Sequence, residues 1–203
     1  MYMNPCHFDH ARRGFLKKTA SIAALYLTPS ILVKTFAADA IVPKPIAKEQ
    51  LQFFLNGKSI KLEIDARTTM LNLLREHIGY TGTKKGCEMG QCGACTIHVN
   101  GKRMKSCTQL ALNHQNNQIT TIEGLAKGDE LHPMQAAFLK HDAFQCGYCT
   151  SGQIMSAVTC VREGNAKTRA SIQAYMDTNI CRCGAYQNIV DAIEEVAKSG
   201  VKI

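Results

Sequence analysis

Cysteine is the residue type in this chain best suited to chemistry: ten occur in 203 residues. Eight of them form two sets. Cys87, Cys92 and Cys95 are separated by four and two residues, and Cys107 follows after eleven more. Cys146 and Cys149 are separated by two residues, and Cys181 and Cys183 by one. Cys6 and Cys160 stand apart. Thiols at such spacings hold soft metals, close disulfides or exchange electrons.

The first set has the Cys-x4-Cys-x2-Cys…Cys spacing with which plant-type ferredoxins hold a 2Fe–2S cluster. Four thiolates bind two ferric ions bridged by sulfide, and the whole is anionic. Gly86, Gly90 and Gly93 let the backbone fold tightly around such a group. Amide N–H groups aimed at the sulfurs raise its reduction potential. A zinc site usually shows two Cys-x2–4-Cys knuckles, whereas here the fourth cysteine stands alone on a hairpin. Iron–sulfur is the preferred reading for this set.

The second set is less specific by itself. Cys-x-x-Cys also occurs as a thioredoxin-like redox pair, but no strand-rich βαβ unit surrounds it here. Zinc stays open at this point. Cys149 and Cys183 each lead into a predicted helix, whose N-terminal dipole favours thiolates and an anionic cluster. There is no Cys-x-x-Cys-His for covalent haem and no Cys-x-His pair for a Rieske centre.

The elements that must position these sulfurs change character along the chain. Leu51–Ile64 reads as a β-hairpin turning at Asn56-Gly57, with Ile60, Leu62 and Ile64 alternating. Thr68 or Thr69 caps a short helix over Met70–His77, with Leu71 and Leu74 on one face. A glycine-rich loop runs from Gly79 to Gly93. A second hairpin turns at Asn100-Gly101, and Ile119–Glu123 is a further strand. Beyond Gly124 the pattern is helical. His132 caps a helix with Pro133 in its first turn, running over Met134–Lys140. Thr150 or Ser151 starts another, through Ile154, Ala157 and Val158. Two more span 168–178 and 186–198, the last amphipathic through Ile189, Ile193 and Val196. The expected boundaries are 1–40 for a leader, 41–50 for a Pro/Lys linker, 51–125 for the hairpin-rich domain and 126–203 for the helical one.

The net charge is +8, but residues 1–48 contribute +5 of it and the rest only +3. A nucleic-acid role therefore loses its electrostatic support, and the absence of Trp removes a good stacking platform. Residues 11–17, Ala-Arg-Arg-Gly-Phe-Leu-Lys, resemble a twin-arginine export motif. The charge-free stretch from Thr19 to Val33 is too short for a stable membrane anchor, and Ala38-Asp39-Ala40 offers a cleavage pattern. The periplasm is the expected location. It is oxidising, and twin-arginine export carries proteins already folded around their cofactors, which suits a cofactor-ligating cysteine set.

Taken in order, Gly86-Cys-Glu-Met-Gly-Gln-Cys-Gly-Ala-Cys95, Gln145-Cys-Gly-Tyr-Cys-Thr-Ser-Gly152 and Asn179-Ile-Cys-Arg-Cys-Gly184 resemble the iron–sulfur subunit of molybdenum hydroxylases, the xanthine oxidase and aldehyde oxidoreductase family. The resemblance covers essentially all of residues 50–198. Ser151 departs from it, standing where many members have Pro. The resemblance implies an α+β chain: a plant-type ferredoxin-like β-grasp domain, then an all-α four-helix iron–sulfur domain. Cys87, Cys92, Cys95 and Cys107 would bind the first 2Fe–2S cluster, and Cys146, Cys149, Cys181 and Cys183 the second. Gln145 and Cys183 would approach the molybdopterin of a large partner subunit. No catalytic residue is expected on this chain.

The implied function is electron transfer in a molybdenum-dependent aldehyde oxidoreductase. Electrons would run from the large subunit's molybdopterin through both clusters to an FAD-binding subunit or an external carrier. The alternatives are a free-standing two-cluster ferredoxin, a related N-heterocycle hydroxylase subunit, and a structural zinc or disulfide module. Cys160 reads as a buried thiol. His114, His132 and His141 read as caps or surface groups, and Lys84-Lys85 as a solvated or partner-facing pair.

Overall fold

The computed structural model describes residues 48–201, together with Lys18 and Ile203. Apart from Lys18, the expected leader and cleavage pattern, Cys6 and most of the expected linker lie outside the described residues. β1 (Lys48–Leu55) and β2 (Lys58–Asp65) form the first hairpin in full register, from Lys48↔Asp65 to Leu55↔Lys58. Because pairing starts at Lys48, the last three residues of the expected 41–50 linker belong to the strand. Asn56 and Gly57 have φ of 50° and 80°, the twist a two-residue hairpin turn demands. Asn56 does a second job: its Oδ1 accepts from Thr121 N at 2.9 Å, locking the turn to the chain beyond the sheet.

Thr69 caps α1 (Met70–Asn72), its Oγ1 accepting from Asn72 N at 3.2 Å. The turn then widens into a π-helical stretch, Leu73–His77, in place of the regular helix expected to His77. Met70, Leu71, Leu73 and Leu74 are all buried, more than the single face of Leu71 and Leu74 read from the sequence. β3 (Thr96–Val99) and β4 (Lys102–Lys105) make the second hairpin, turning at Asn100-Gly101. β5 (Gln118–Thr120) is shorter than the expected strand; a 3-10 turn, Ile122–Gly124, replaces its end. The sheet order is β2-β1-β5-β3-β4, with β5 parallel to β1 and antiparallel to β3. Leu51, Phe53, Leu55, Ile97, Val99 and Ile119 meet the α1 segment in one core.

Four helices follow: α2 (Pro133–Lys140), α3 (Thr150–Arg162), α4 (Arg169–Met176) and α5 (Tyr186–Ser199). His132 caps α2 as expected, Nδ1 accepting from Met134 N at 3.1 Å. The buried faces of these helices share a second core that includes Phe138, Val158, Ile172, Ile189 and Ile193. Ile122 and Leu125 pack against that core although they precede residue 126. Residues Ile46–Ile203 form one compact unit. Among the described residues no helix is long and apolar enough to cross a membrane.

The two cores are joined through β3, all four of whose residues are buried. Ile97 and Val99 face the sheet core, while Thr96 and His98 lie under α3. His98 Nε2 donates to Met155 O of α3 at 2.7 Å. Arg103 of β4 adds a clamp, its guanidinium 3.5 Å from the Tyr175 ring centroid and donating to Tyr175 O at 2.8 Å. Such a pair contributes about 1–2 kcal/mol when partly desolvated.

His98 makes the junction acid-sensitive. Burial, with smaller contributions from Arg162 and His132, outweighs the bond to Met155 and the more distant Glu163, and brings its pKa down to about 4. The unfolded imidazole titrates near 6.5, so between pH 6.5 and 4 the unfolded chain binds a proton the folded chain does not. Stability should be intact above 6.5, fall with pH by up to about 3 kcal/mol, and level off below 4. Urea midpoints taken from pH 7 to 4.5 should drop more steeply for the native chain than for His98→Gln. Parallel curves would show that His98 is not the group responsible.

Candidate metal centres

The first cysteine set is assembled by a loop and a hairpin. Cys87 and Cys92 sit in the loop before β3, Cys95 at the foot of β3, and Cys107 in the 3-10 turn Ser106–Thr108 after β4. The register of the hairpin pairs Thr96 with Lys105, so Cys95 and Cys107 meet at its open end. Ser106 fastens that end, its N and Oγ donating to Cys95 O at 3.2 and 2.8 Å. Cys95 and Cys107 are buried together with Leu71. This explains the lone fourth cysteine: eleven residues are consumed by one hairpin that returns to its start.

The loop itself folds around sulfur. Cys92 N and Gln91 N each donate to Cys87 Sγ at 3.3 Å, and Cys87 N donates to Cys92 Sγ at 3.3 Å. Burial pushes the Cys87 thiol up, but the backbone N–H groups of Cys92, Met89 and Gln91 outweigh it and bring it down to about 6. Cys107 goes the other way, to about 11, through burial and then the neighbouring Cys95 thiol. Gly86 is required by contact: a Cβ there would lie 2.5 Å from Cys92 Sγ. Lys84 turns back onto this loop, and Lys85 reaches the π-helical stretch before it. Lys84 Nζ donates to Thr81 O at 2.7 Å, and Lys85 pairs with Glu76 at 2.9 Å.

The second set lies in the connections among four helices. Cys146 follows α2, Cys149 is the N-cap of α3, and Cys181 and Cys183 lie between α4 and α5. Cys146 is within bonding reach of Cys183, and Cys149 of Cys181. The Tyr148 backbone N–H, then the Cys183 thiol, hold Cys146 below the usual thiol range. Burial, then Cys181, pushes Cys149 up to about 12. Cys146 and Cys183 are exposed, and Cys181 is buried.

None of the nine described cysteines is in a disulfide. Their sulfurs associate two by two: Cys87 with Cys92, Cys95 with Cys107, Cys146 with Cys183, Cys149 with Cys181. Among the described residues, no three His, Cys, Asp or Glu side chains converge on a site for a single ion. Tetrahedral zinc needs four sulfurs about 2.3 Å from one point. Two pairs of thiols in each set suit instead a group with two metal atoms, one for each pair. The hydroxyls of Thr150 and Ser151, next along the chain from Cys149, are buried without a partner. Bridging sulfide in such a group would offer them an acceptor.

Hydrogen bonds tie the two sets to each other. Ile180 N donates to Cys92 O at 2.9 Å, joining a cysteine of the first set to the residue before Cys181. Buried Asn179 donates through Nδ2 to Gly93 O at 3.3 Å and Gly152 O at 3.2 Å. Gln153 Nε2 donates to Asn179 O at 3.1 Å. Tyr148 Oη donates to Lys85 O. Asn179, Gly152 and Tyr148 stand inside the three motif stretches, yet spacing alone assigned them no role. Only the fold shows that they carry the bridge.

Residues 53–122 match the family described as 2Fe-2S iron-sulfur cluster binding domain, and residues 121–194 the family described as 2Fe-2S binding domain. The chain belongs to the iron–sulfur subunits of the molybdenum hydroxylase family. Its similarity to the aldehyde oxidoreductase iron-sulfur-binding subunit PaoA of Escherichia coli O157:H7 is 47% identity over 208 residues, covering 95% of this chain and 90% of the relative. That coverage takes in most of residues 1–47. The isoquinoline 1-oxidoreductase subunit alpha of Brevundimonas diminuta is 42% identical over 73% of this chain and 97% of its own length. Among solved structures, quinoline 2-oxidoreductase from Pseudomonas putida 86 superposes with a TM-score of 0.71 at 39% identity, over 75% of this chain and 98% of that one. As a member of this family the chain is an electron-transfer subunit that holds two 2Fe–2S clusters.

Cys160, His141 and His114 fall outside the chemistry of this iron–sulfur subunit. Cys160 is fully buried, and burial pushes its thiol up to about 11. His141 Nε2 lies 2.7 Å from Glu195 Oε2, beside Lys140. His114 is neither a cap nor a surface group: it is 3% exposed, with Nδ1 3.1 Å from Asn117 Nδ2. Gln145 is exposed, directly before Cys146 in the chain.

Proposed function

We propose that this chain is the relay subunit of a molybdenum-dependent aldehyde oxidoreductase. Cys146, Cys149, Cys181 and Cys183 form its entry side, and Cys87, Cys92, Cys95 and Cys107 its exit side. The two clusters supply one-electron steps when bound, and the chain supplies their ligands, burial and spacing. A plant-type ferredoxin domain and a four-helix domain would then divide near residue 125. Gln145 and Cys183 face the molybdopterin of the large subunit. An FAD-binding subunit or an external carrier takes the electrons from the exit side.

The observation that carries this reading over a free-standing ferredoxin is the surface around the second set. Phe144, Tyr148, Ile180 and Tyr186 are 37%, 51%, 51% and 46% exposed, and all neighbour cysteines of that set. A freely diffusing carrier would leave this apolar rim in water; a subunit covers it. The similarity to PaoA favours an aldehyde as substrate. The similarity to isoquinoline 1-oxidoreductase supports an N-heterocycle as the second reading. The test is to purify the chain with its large partner and add each substrate class under anaerobic conditions. Aldehyde should bleach the iron–sulfur absorbance within the turnover time and N-heterocycles should not; the reverse would transfer the assignment. A chain that purifies alone, with both clusters, would favour the ferredoxin.

Arg12, Arg13 and the likeness extending into the leader support export to the periplasm. Cell fractionation of an Arg12→Lys, Arg13→Lys double variant should find the protein retained in the cytoplasm with its iron. Undiminished periplasmic protein would refute the route.

A further inference from the structure

Tyr186 opens α5, three residues after Cys183. Its ring is 46% exposed on the rim of the second set, but its hydroxyl turns inward. Cys181 N donates to Tyr186 Oη at 2.9 Å. The neighbouring amide, Ile180 N, is already committed to Cys92 O at 2.9 Å. At the first set three amides donate to cysteine sulfur: Cys87 N, Gln91 N and Cys92 N, each at 3.3 Å. Amides reach sulfur in the second set too, the Tyr148 N–H at Cys146 among them. At Cys181 the amide is taken up by a phenol oxygen.

That difference bears on electron affinity. An N–H dipole pointing toward a cluster stabilises the extra negative charge of the reduced state and raises its potential. A phenol oxygen that accepts this N–H sets its own negative partial charge beside the ligand and offsets the dipole. We propose that Tyr186 is a positioning residue that holds the potential of the second cluster down by capping the Cys181 amide. This rests on the assignment of Cys146, Cys149, Cys181 and Cys183 as ligands. The phenol touches a ligand's backbone rather than reacting atoms. Its effect is to favour release of an electron toward the first set, across the Ile180–Cys92 bond.

The experiment is an EPR-monitored redox titration of the intact complex carrying Tyr186→Phe. Iron and acid-labile sulfide are measured on the same sample. The second cluster's signal is identified as the one altered in a Cys183→Ser complex. The expected result is that this signal's midpoint moves to a more positive potential while the other stays in place. Tyr175→Phe, whose hydroxyl binds Thr159 and Glu163 away from both sets, should move neither. If Tyr186→Phe fails to assemble, a fluorinated tyrosine at position 186 keeps the ring and hydroxyl but weakens the acceptor. It should shift the same signal in the same direction, by less. An unchanged or more negative midpoint, with both clusters present, overturns the proposal and leaves the ligand assignment standing. A native complex with only one cluster overturns the assignment instead.

Discussion

Gly152→Ala should lower the thermal midpoint by about 6–12 °C and disturb both cysteine sets at once. A Cβ on Gly152 would lie 2.2 Å from Gly93 O and 2.9 Å from Ala94 Cα. Both are backbone atoms, so no flexible side chain can yield. The facing residue is no freer: Gly93 has φ of 73°, and a Cβ there would meet Asn179 Nδ2 at 2.5 Å and Thr178 O at 2.7 Å. Helix α3 would have to withdraw from the loop that holds Cys92 and Cys95. Overpacking of this kind costs about 3 kcal/mol, and a domain of this size loses about 2–4 °C for each kcal/mol. Differential scanning calorimetry measures the shift, and iron content reports the damage to the sets. A midpoint within about 1 °C of the native value would mean that the close approach is not a constraint.

The second large effect is expected at Cys181. Cys181→Ser should leave about two irons per chain where the native protein has about four, because one 2Fe–2S cluster is lost. Substrate-driven reduction of the remaining cluster should slow by at least about 100-fold, since the entry side is gone. Cys160→Ser is the control. Cys160 is as deeply buried as Cys181 but belongs to neither set. Its hydroxyl replacement should cost about 1–3 kcal/mol of stability and leave the iron unchanged. Equal iron loss in the two variants would remove the distinction between ligand and core thiol on which the assignment of the second set depends.

Much of this architecture was readable because its signals are local. Asn56-Gly57 and Asn100-Gly101 both form the turns their residue types favour, with positive φ at all four positions. His132, Pro133 and Gln135 form a capping box that starts α2 where expected. The helices beginning at Arg169 and Tyr186 start within a residue of the periodicity reading, and the first ends two residues short of the expected 178. The misreadings came where tertiary packing overrode pattern. Leu73 and Leu74 are adjacent in sequence and still both buried, because the helix widens to a π turn. His114 lies in a 3-10 turn and is buried there, against its usual preference for the surface.

By itself the amino-acid sequence determined which atoms are the chemical actors: eight thiols at two spacings, their turn glycines, and the helix that each loop leads into. Those features act over a few residues, through covalent reach and backbone preference, so spacing reports them directly. Only the tertiary structure decided how the sulfurs sort into pairs, and that the two loops touch through Cys92, Gly93, Gly152, Asn179 and Ile180. These contacts join residues from 27 to 88 positions apart. They depend on hairpin register and on two backbones coming close enough to exclude a single methyl group, and no local pattern encodes that approach.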